Sequence, residues 1–157
     1  MKISSPAFGP GAFIPVEFTC DGANISPPLT IGDVPMHTKS LALIMDDPDA
    51  PMGLWVHWLV WNIPPDTTHI EKGLRVPWPQ GVTSSRKAFY GGPCPPPGTH
   101  RYYFKLYALD KMLELRPSAQ KHDLEKAMEG HILAQAQAMG RYSRQHKVQD
   151  SASGHNY

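Results

Sequence analysis

Three apolar stretches decide the fold: Leu41-Ala42-Leu43-Ile44-Met45, Val56-His57-Trp58-Leu59-Val60-Trp61-Asn62-Ile63 and Tyr102-Tyr103-Phe104-Lys105-Leu106-Tyr107-Ala108-Leu109. They are rich in β-branched, aromatic and other apolar residues, and turn residues flank each one, so they are expected to be the central strands of a sheet. The chain's 17 prolines and 13 glycines break residues 1–117 into short segments and leave few windows long enough for a helix. The segment from Phe13 to Phe18 is a shorter candidate strand, placed at an edge because Pro15 lacks an N–H. Only the last third reads as helical. Ser118 is its expected N-cap, with Leu124, Met128, Ile132, Ala136 and Met139 spaced three or four apart on one face and Gly130 bending or dividing it.

At 157 residues the chain has room for one core that does not depend on disulfides or metal for stability. A domain over residues 1–144 is followed by 145–157, whose low apolar content reads as a flexible tail. Fifteen Lys and Arg against fourteen Asp and Glu give a net charge of +1, which argues against nucleic acid as a partner and leaves any anion to be caught by local geometry. No stretch is long and apolar enough to serve as a transmembrane segment, and the prolines and glycines near the start interrupt any export signal, so a cytoplasmic location is expected. Two cysteines are too few for a secreted disulfide framework.

Two constellations carry possible chemistry. Asp46-Asp47-Pro48-Asp49-Ala50-Pro51 follows a strand directly; it is either a proline-stiffened turn or a set of carboxylates that orient imidazoles. Its expected partner is His57. Strand alternation puts Trp55 and His57 on one face, an apolar wall beside a switchable donor, and Val56 and Trp58 on the other. The second constellation, Tyr90-Gly91-Gly92-Pro93-Cys94-Pro95-Pro96-Pro97-Gly98-Thr99-His100-Arg101-Tyr102, is either a polyproline linker or a rigid loop shaped as an anion nest. Glycines such as Gly92 allow close backbone approach, and His100 and Tyr102, two apart, face one side.

These strings resemble the phosphatidylethanolamine-binding protein family, also called the Raf kinase inhibitor protein-like family. The resemblance spans about residues 12–144. It rests on Phe18-Thr19-Cys20-Asp21-Gly22-Ala23-Asn24-Ile25-Ser26-Pro27-Pro28-Leu29, on Asp47-Pro48-Asp49-Ala50-Pro51, on Trp55 to Ile63 and on the loop from Gly91 to Tyr102. A compact loop between Pro51 and Trp55 and an expected helix at 129–136 point to the short prokaryotic branch. The resemblance implies a mainly β fold, a Greek-key β-sandwich with a C-terminal helical segment. It also implies a pocket for phosphate, acetate or a phosphorylated headgroup, formed by Asp47, Asp49, Trp55, His57, Gly92, the backbone N–H of Cys94, His100 and Tyr102. No cofactor or metal is expected. A cis peptide at Ala50-Pro51 is expected chiefly from the resemblance, as is a possible disulfide between Cys20 and Cys94 that tunes the pocket.

The function expected is binding of phosphate or a phosphorylated small molecule or headgroup, by a protein that modulates signalling or another protein and is not an enzyme. The alternative is an inhibitor of a kinase or serine protease acting by direct contact. Catalysis, including metal-dependent hydrolysis, is the weakest reading: two Asp and two His, which could make a metal site, are already assigned to orienting and binding roles, and a Cys94-His pair would depend on how the flanking prolines set the sulfur.

Overall fold

The computed structural model describes residues 1–144, and the expected tail at 145–157 lies outside the described residues. In chain order the elements are β1 (Lys2–Ser4), β2 (Leu29–Gly32), β3 (Ser40–Asp47), β4 (Trp55–Ile63), β5 (His69–Ile70), β6 (His100–Leu109), α1 (Lys121–Met128) and β7 (Ile132–Tyr142). They make two antiparallel sheets, β1-β2-β5 and β4-β3-β6-β7. β3 and β4 form a hairpin, β5 crosses to the small sheet, and β6 returns beside β3 rather than β4. That return is the Greek-key step.

The large sheet is covered on both faces, which explains why its strands read as continuous apolar runs. Leu41, Leu43, Met45, Trp58, Val60, Phe104 and Leu106 pack between the sheets against Ile3, Leu29, Ile31 and Ile70. On the other face Ala42, Ile44, Leu59 and Trp61 pack against Leu113, Leu124 and Met128. Every residue of β3 is buried. The three expected central strands are β3, β4 and β6.

Four expectations about local structure are corrected. The helix does not run from Ser118 to Met139. It starts after Gln120, whose backbone N–H is held by Asp123 in a capping box, and buries Leu124 and Met128 one turn apart. Burying each of those two contributes ~1.5–3 kcal/mol. Beyond Gly130, at φ 80°, the chain is strand, because the spacing of three and four at Ile132, Ala136 and Met139 competes with an alternation of Ala134, Ala136 and Ala138 that packs on the core. Pairing along β6, from Leu109↔Ile132 to His100↔Tyr142, decides in favour of the alternation.

The segment Phe13–Phe18 is not an edge strand either. Val16–Phe18 forms a short 3-10 turn, and Phe13 makes one bridge to Arg141. No cis peptide occurs among the described residues, so Ala50-Pro51 is trans; the turn that follows, with Gly53 N donating to Ala50 O, reverses the chain without it. Finally, a register shift between Met45↔Trp58 and Asp46↔Val56 leaves His57 as an extra residue in β4. This bulge re-aims the side chains, so that Val56 joins the helix side of the sheet while Trp58 joins the core between the sheets.

Candidate functional site

Because β3 runs antiparallel to both β4 and β6, the end of β3 meets the starts of the other two, with Asp47 opposite Trp55 and Asp46 opposite Tyr103. A cavity of about 430 Å³ opens at this end of the large sheet. Asp47, Trp55, His57, Gly92, Cys94, His100 and Tyr102 all line it. Asp49 does not. Its carboxylate accepts from the Arg101 backbone N–H at 2.9 Å and from the guanidinium at 2.8 and 2.9 Å, pinning the loop after β3 to the first residues of β6. The bond to Arg101 holds the Asp49 carboxyl down at about 2 against the opposing effect of burial. Asp49 is thus a brace beside His100, and the expectation that it faces the pocket is corrected.

The expected pairing of the Asp cluster with His57 is corrected too. Asp47 reaches His100, whose Nδ1–H donates to Asp47 Oδ2 at 2.6 Å with both groups buried. His57 Nδ1–H donates instead to the Gly91 carbonyl at 2.7 Å. In both rings the Nδ1 hydrogen bond fixes the ring orientation and leaves Nε2 for the cavity. Burial lowers the His57 pKa, outweighing the Gly91 hydrogen bond and the charges of Asp47 and Asp46, which raise it.

Tyr102 lies between the imidazoles, edge-on to His57 at 5.3 Å and stacked near His100 at 6.5 Å between centroids. Its buried hydroxyl has no hydrogen-bond partner among the described residues. Burial raises its pKa, so the phenol keeps its proton. A buried orphan hydroxyl costs about 1–3 kcal/mol, which a ligand oxygen would relieve.

Across the cavity, the Gly92 N–H donates to Asn24 Oδ1 at 2.8 Å, so it is not itself available to an anion. Gly92 serves by lacking a side chain: a Cβ there would fall 2.2 Å from Phe18 O and 2.6 Å from Asn24 Oδ1. Two residues on, the Cys94 N–H makes no backbone hydrogen bond among the described residues. The Cys94 sulfur is bonded to Cys20, with Cα atoms 5.4 Å apart, and that bond excludes Cys94 as a thiolate nucleophile in this state.

Other lining residues escape a reading of the motifs. Asn24 stands inside the string Cys20 to Asn24, but nothing near it signals a partner at Gly92. Lys87 and Phe89 line the mouth and directly precede Tyr90-Gly91-Gly92; adjacency to that loop was the available signal. Met52, Trp55 and Phe89 are exposed there, giving the opening an apolar rim.

Comparison with known proteins identifies the family. The family model for phosphatidylethanolamine-binding protein matches residues 4–143. The chain belongs to the phosphatidylethanolamine-binding protein family. The match begins earlier than the motifs did, taking in the end of β1. A UPF0098 protein of Methanothermobacter thermautotrophicus is 51% identical over 150 residues, covering 92% of this chain and 99% of its own length. A second UPF0098 protein, from Chlamydia pneumoniae, is 47% identical over 149 residues, with coverage of 92% and 99%. Among solved structures, a putative phosphatidylethanolamine-binding protein homolog from Chlamydia trachomatis superposes with a TM-score of 0.88 at 43% identity, over 90% of this chain and 96% of its own. E. coli YbcL, a member of the mammalian family by its own description, gives 0.83 at 30% identity, over 90% and 97%. Family and fold are therefore those of a ligand-binding β-sandwich. No helix of the described residues is long and apolar enough to cross a membrane.

Proposed function

We propose that the cavity binds phosphate or a phosphorylated small molecule or headgroup, and that the protein is a cytoplasmic binding module which modulates a signalling or other partner protein and does no covalent chemistry. The observation that carries this reading is the convergence of two imidazoles pinned through Nδ1, the partnerless hydroxyl of Tyr102 and the Cys94 N–H on one cavity. Binding is favoured over hydrolysis because Asp47 is committed to His100 and Cys94 to Cys20. An anion would sit against His57, His100, Tyr102 and Cys94, while Asp47 orients His100 from behind and Trp55 forms the apolar side.

Charge-assisted hydrogen bonds contribute ~1.5–3 kcal/mol each before ordering costs. His57→Ala and His100→Ala should therefore each weaken inorganic phosphate by about one to two orders of magnitude, read by calorimetry or NMR titration. Unchanged affinity in both variants overturns the site.

A second reading, inhibition of a kinase or serine protease by direct contact, is favoured by the exposed rim of Met52, Trp55 and Phe89. Pulldown from native lysate with and without phosphate separates the two. Partners released by phosphate support modulation through the pocket, and partners indifferent to it support contact elsewhere.

A further inference from the structure

The polar groups of the cavity do not all ask for the same thing. Tyr102 and the Cys94 amide offer protons: the phenol is held protonated by burial, and the amide always carries one. His100 is backed by the Asp47 carboxylate, which fixes its Nδ1 as a donor and leaves Nε2 facing outward. His57 differs. The acceptor behind its ring is a neutral carbonyl, Gly91 O, so Nδ1 holds the proton and Nε2 of the neutral ring presents a lone pair.

The surroundings of His57 keep it in that form. On β3, Asp47 is engaged by His100, and Asp46 by Lys105 at 3.0 Å; on β6, His100 opposes any added positive charge and Tyr102 is neutral. From the loop, Tyr90 donates its hydroxyl to Phe18 O, and Lys87 stands at the mouth. The net effect of these groups and of burial is a pKa below the ordinary histidine value.

We infer that this cavity, if it is the anion site proposed above, selects phosphomonoesters over phosphodiesters and sulfate, because the lone pair of His57 Nε2 needs a ligand oxygen that still carries a proton. A fully ionised tetrahedral anion brings only acceptors. Set against Nε2 it leaves two lone pairs facing each other out of water, or forces a proton onto an imidazole whose burial resists it. A monoester loses its second proton near pH ~6, so close to neutrality it retains or regains a P–OH at small cost. A diester or sulfate takes a proton back only in strong acid. The headgroup of an intact phospholipid is a diester, and the same headgroup freed as phosphoethanolamine is a monoester. The two sources are thereby distinguished by one hydrogen.

Calorimetry at about pH 7.5, repeated in two buffers of different ionisation enthalpy, tests this with phosphoethanolamine, glycerophosphoethanolamine and inorganic sulfate as probes. Phosphoethanolamine should bind at least about tenfold more tightly than either of the others, with uptake of about one proton per ligand. His57→Asn keeps a donor toward Gly91 O but removes the Nε2 acceptor, and should bring the three probes to within about threefold of one another. Should that variant fail to fold, the wild-type affinity ratio and proton count decide alone. Equal or tighter binding of glycerophosphoethanolamine, or phosphoethanolamine binding without proton uptake, overturns the selectivity while leaving the anion site standing. Binding of none of the three overturns both.

Discussion

The two walls of the cavity are built by different means. One is the end of the large sheet, where Asp47, His57, His100 and Tyr102 stand on three paired strands whose ladders and two-sided core fix their backbones. The other is the loop through residues 85–96, which has no ladder and is held by separate links. They include His57 Nδ1–H to Gly91 O at 2.7 Å, Gly91 N to His57 O at 3.0 Å, Gly92 N to Asn24 Oδ1, Tyr90 Oη to Phe18 O at 2.7 Å, Cys20 N to Pro93 O at 3.1 Å, and the Cys20–Cys94 bond. Stiffness spread over many strand contacts is insensitive to losing one of them. Stiffness concentrated in a few separate links is not, so the loop wall is where one change should alter the cavity most.

Cutting the covalent link is the largest such change. Cys20 and Cys94 are 74 residues apart in sequence, and in the chain-entropy model a loop of this size is worth roughly 4.5 kcal/mol before strain, with about 2–4 kcal/mol typical of measured cases. Unfolding in urea with and without reductant, and of the Cys20→Ser/Cys94→Ser protein, should show a loss in that range. Cys94 lies on the rim and its amide is a proposed donor, so phosphate affinity should fall as well. In a reducing cytoplasm this bond would be transient, making affinity a function of redox poise. Equal phosphate affinity in oxidised and reduced protein would refute that coupling, as would alkylation of both thiols after mild oxidation of the folded protein.

Gly92→Ala attacks the same wall without breaking a covalent bond. The added carbon would lie 2.2 Å from Phe18 O and 2.9 Å from Thr19 Cα, both backbone atoms that cannot swing aside. The loop must shift, at about 1–3 kcal/mol of overpacking, and the Cys94 N–H moves with it. Gly91→Ala is the control, because there the nearest atom is Ser85 Oγ at 3.8 Å. A denaturation midpoint that drops for Gly92→Ala and holds for Gly91→Ala is expected; equal midpoints would show that the loop is not tightly seated.

The contrast between walls also explains what a reader of the sequence can recover. The sheet wall announces itself, since β3, β4 and β6 are long apolar runs and the family motifs lie at their ends. What the runs conceal is register. Whether Asp47 meets His57 or His100 depends on which neighbour its side chain leans toward, and the bulge at His57 overrides strict alternation. The loop wall depends on contacts such as Asn24 to Gly92, 68 residues apart, for which no local pattern exists. The C-terminal strand was hidden for a different reason. Leu124 and Met128 do lie on a helix, and the apolar spacing continues past Gly130 by coincidence, so only the partner strand β6 tells helix from strand. β1, β2 and β5, two to four residues each, are too short for any periodicity to register.

The smallest expected effect lies on the sheet side and sharpens the comparison by separating two titrations. His57 is held neutral, so below its ordinary value of 6.5 the unfolded chain takes up a proton there that the folded one resists. Its contribution to stability is therefore present above that value and declines as pH falls beneath it. Asp49 has its own window. Its folded carboxyl is lowered from 3.8 to about 2, so the stability it contributes is intact above 3.8 and disappears as pH falls toward 2. Because Arg101 is exposed and Asp49 only partly covered, water and salt screen that contribution, and it should shrink further at high ionic strength. Near-UV circular dichroism followed through acid titration should show stability declining first below the histidine value and again at the Asp49 window. Arg101→Gln should return the Asp49 titration toward 3.8 and leave the upper decline unmoved. If the substitution shifts the upper decline instead, the brace at Asp49 and the cavity at His57 are one coupled unit, and the sheet wall is less evenly supported than its ladders imply.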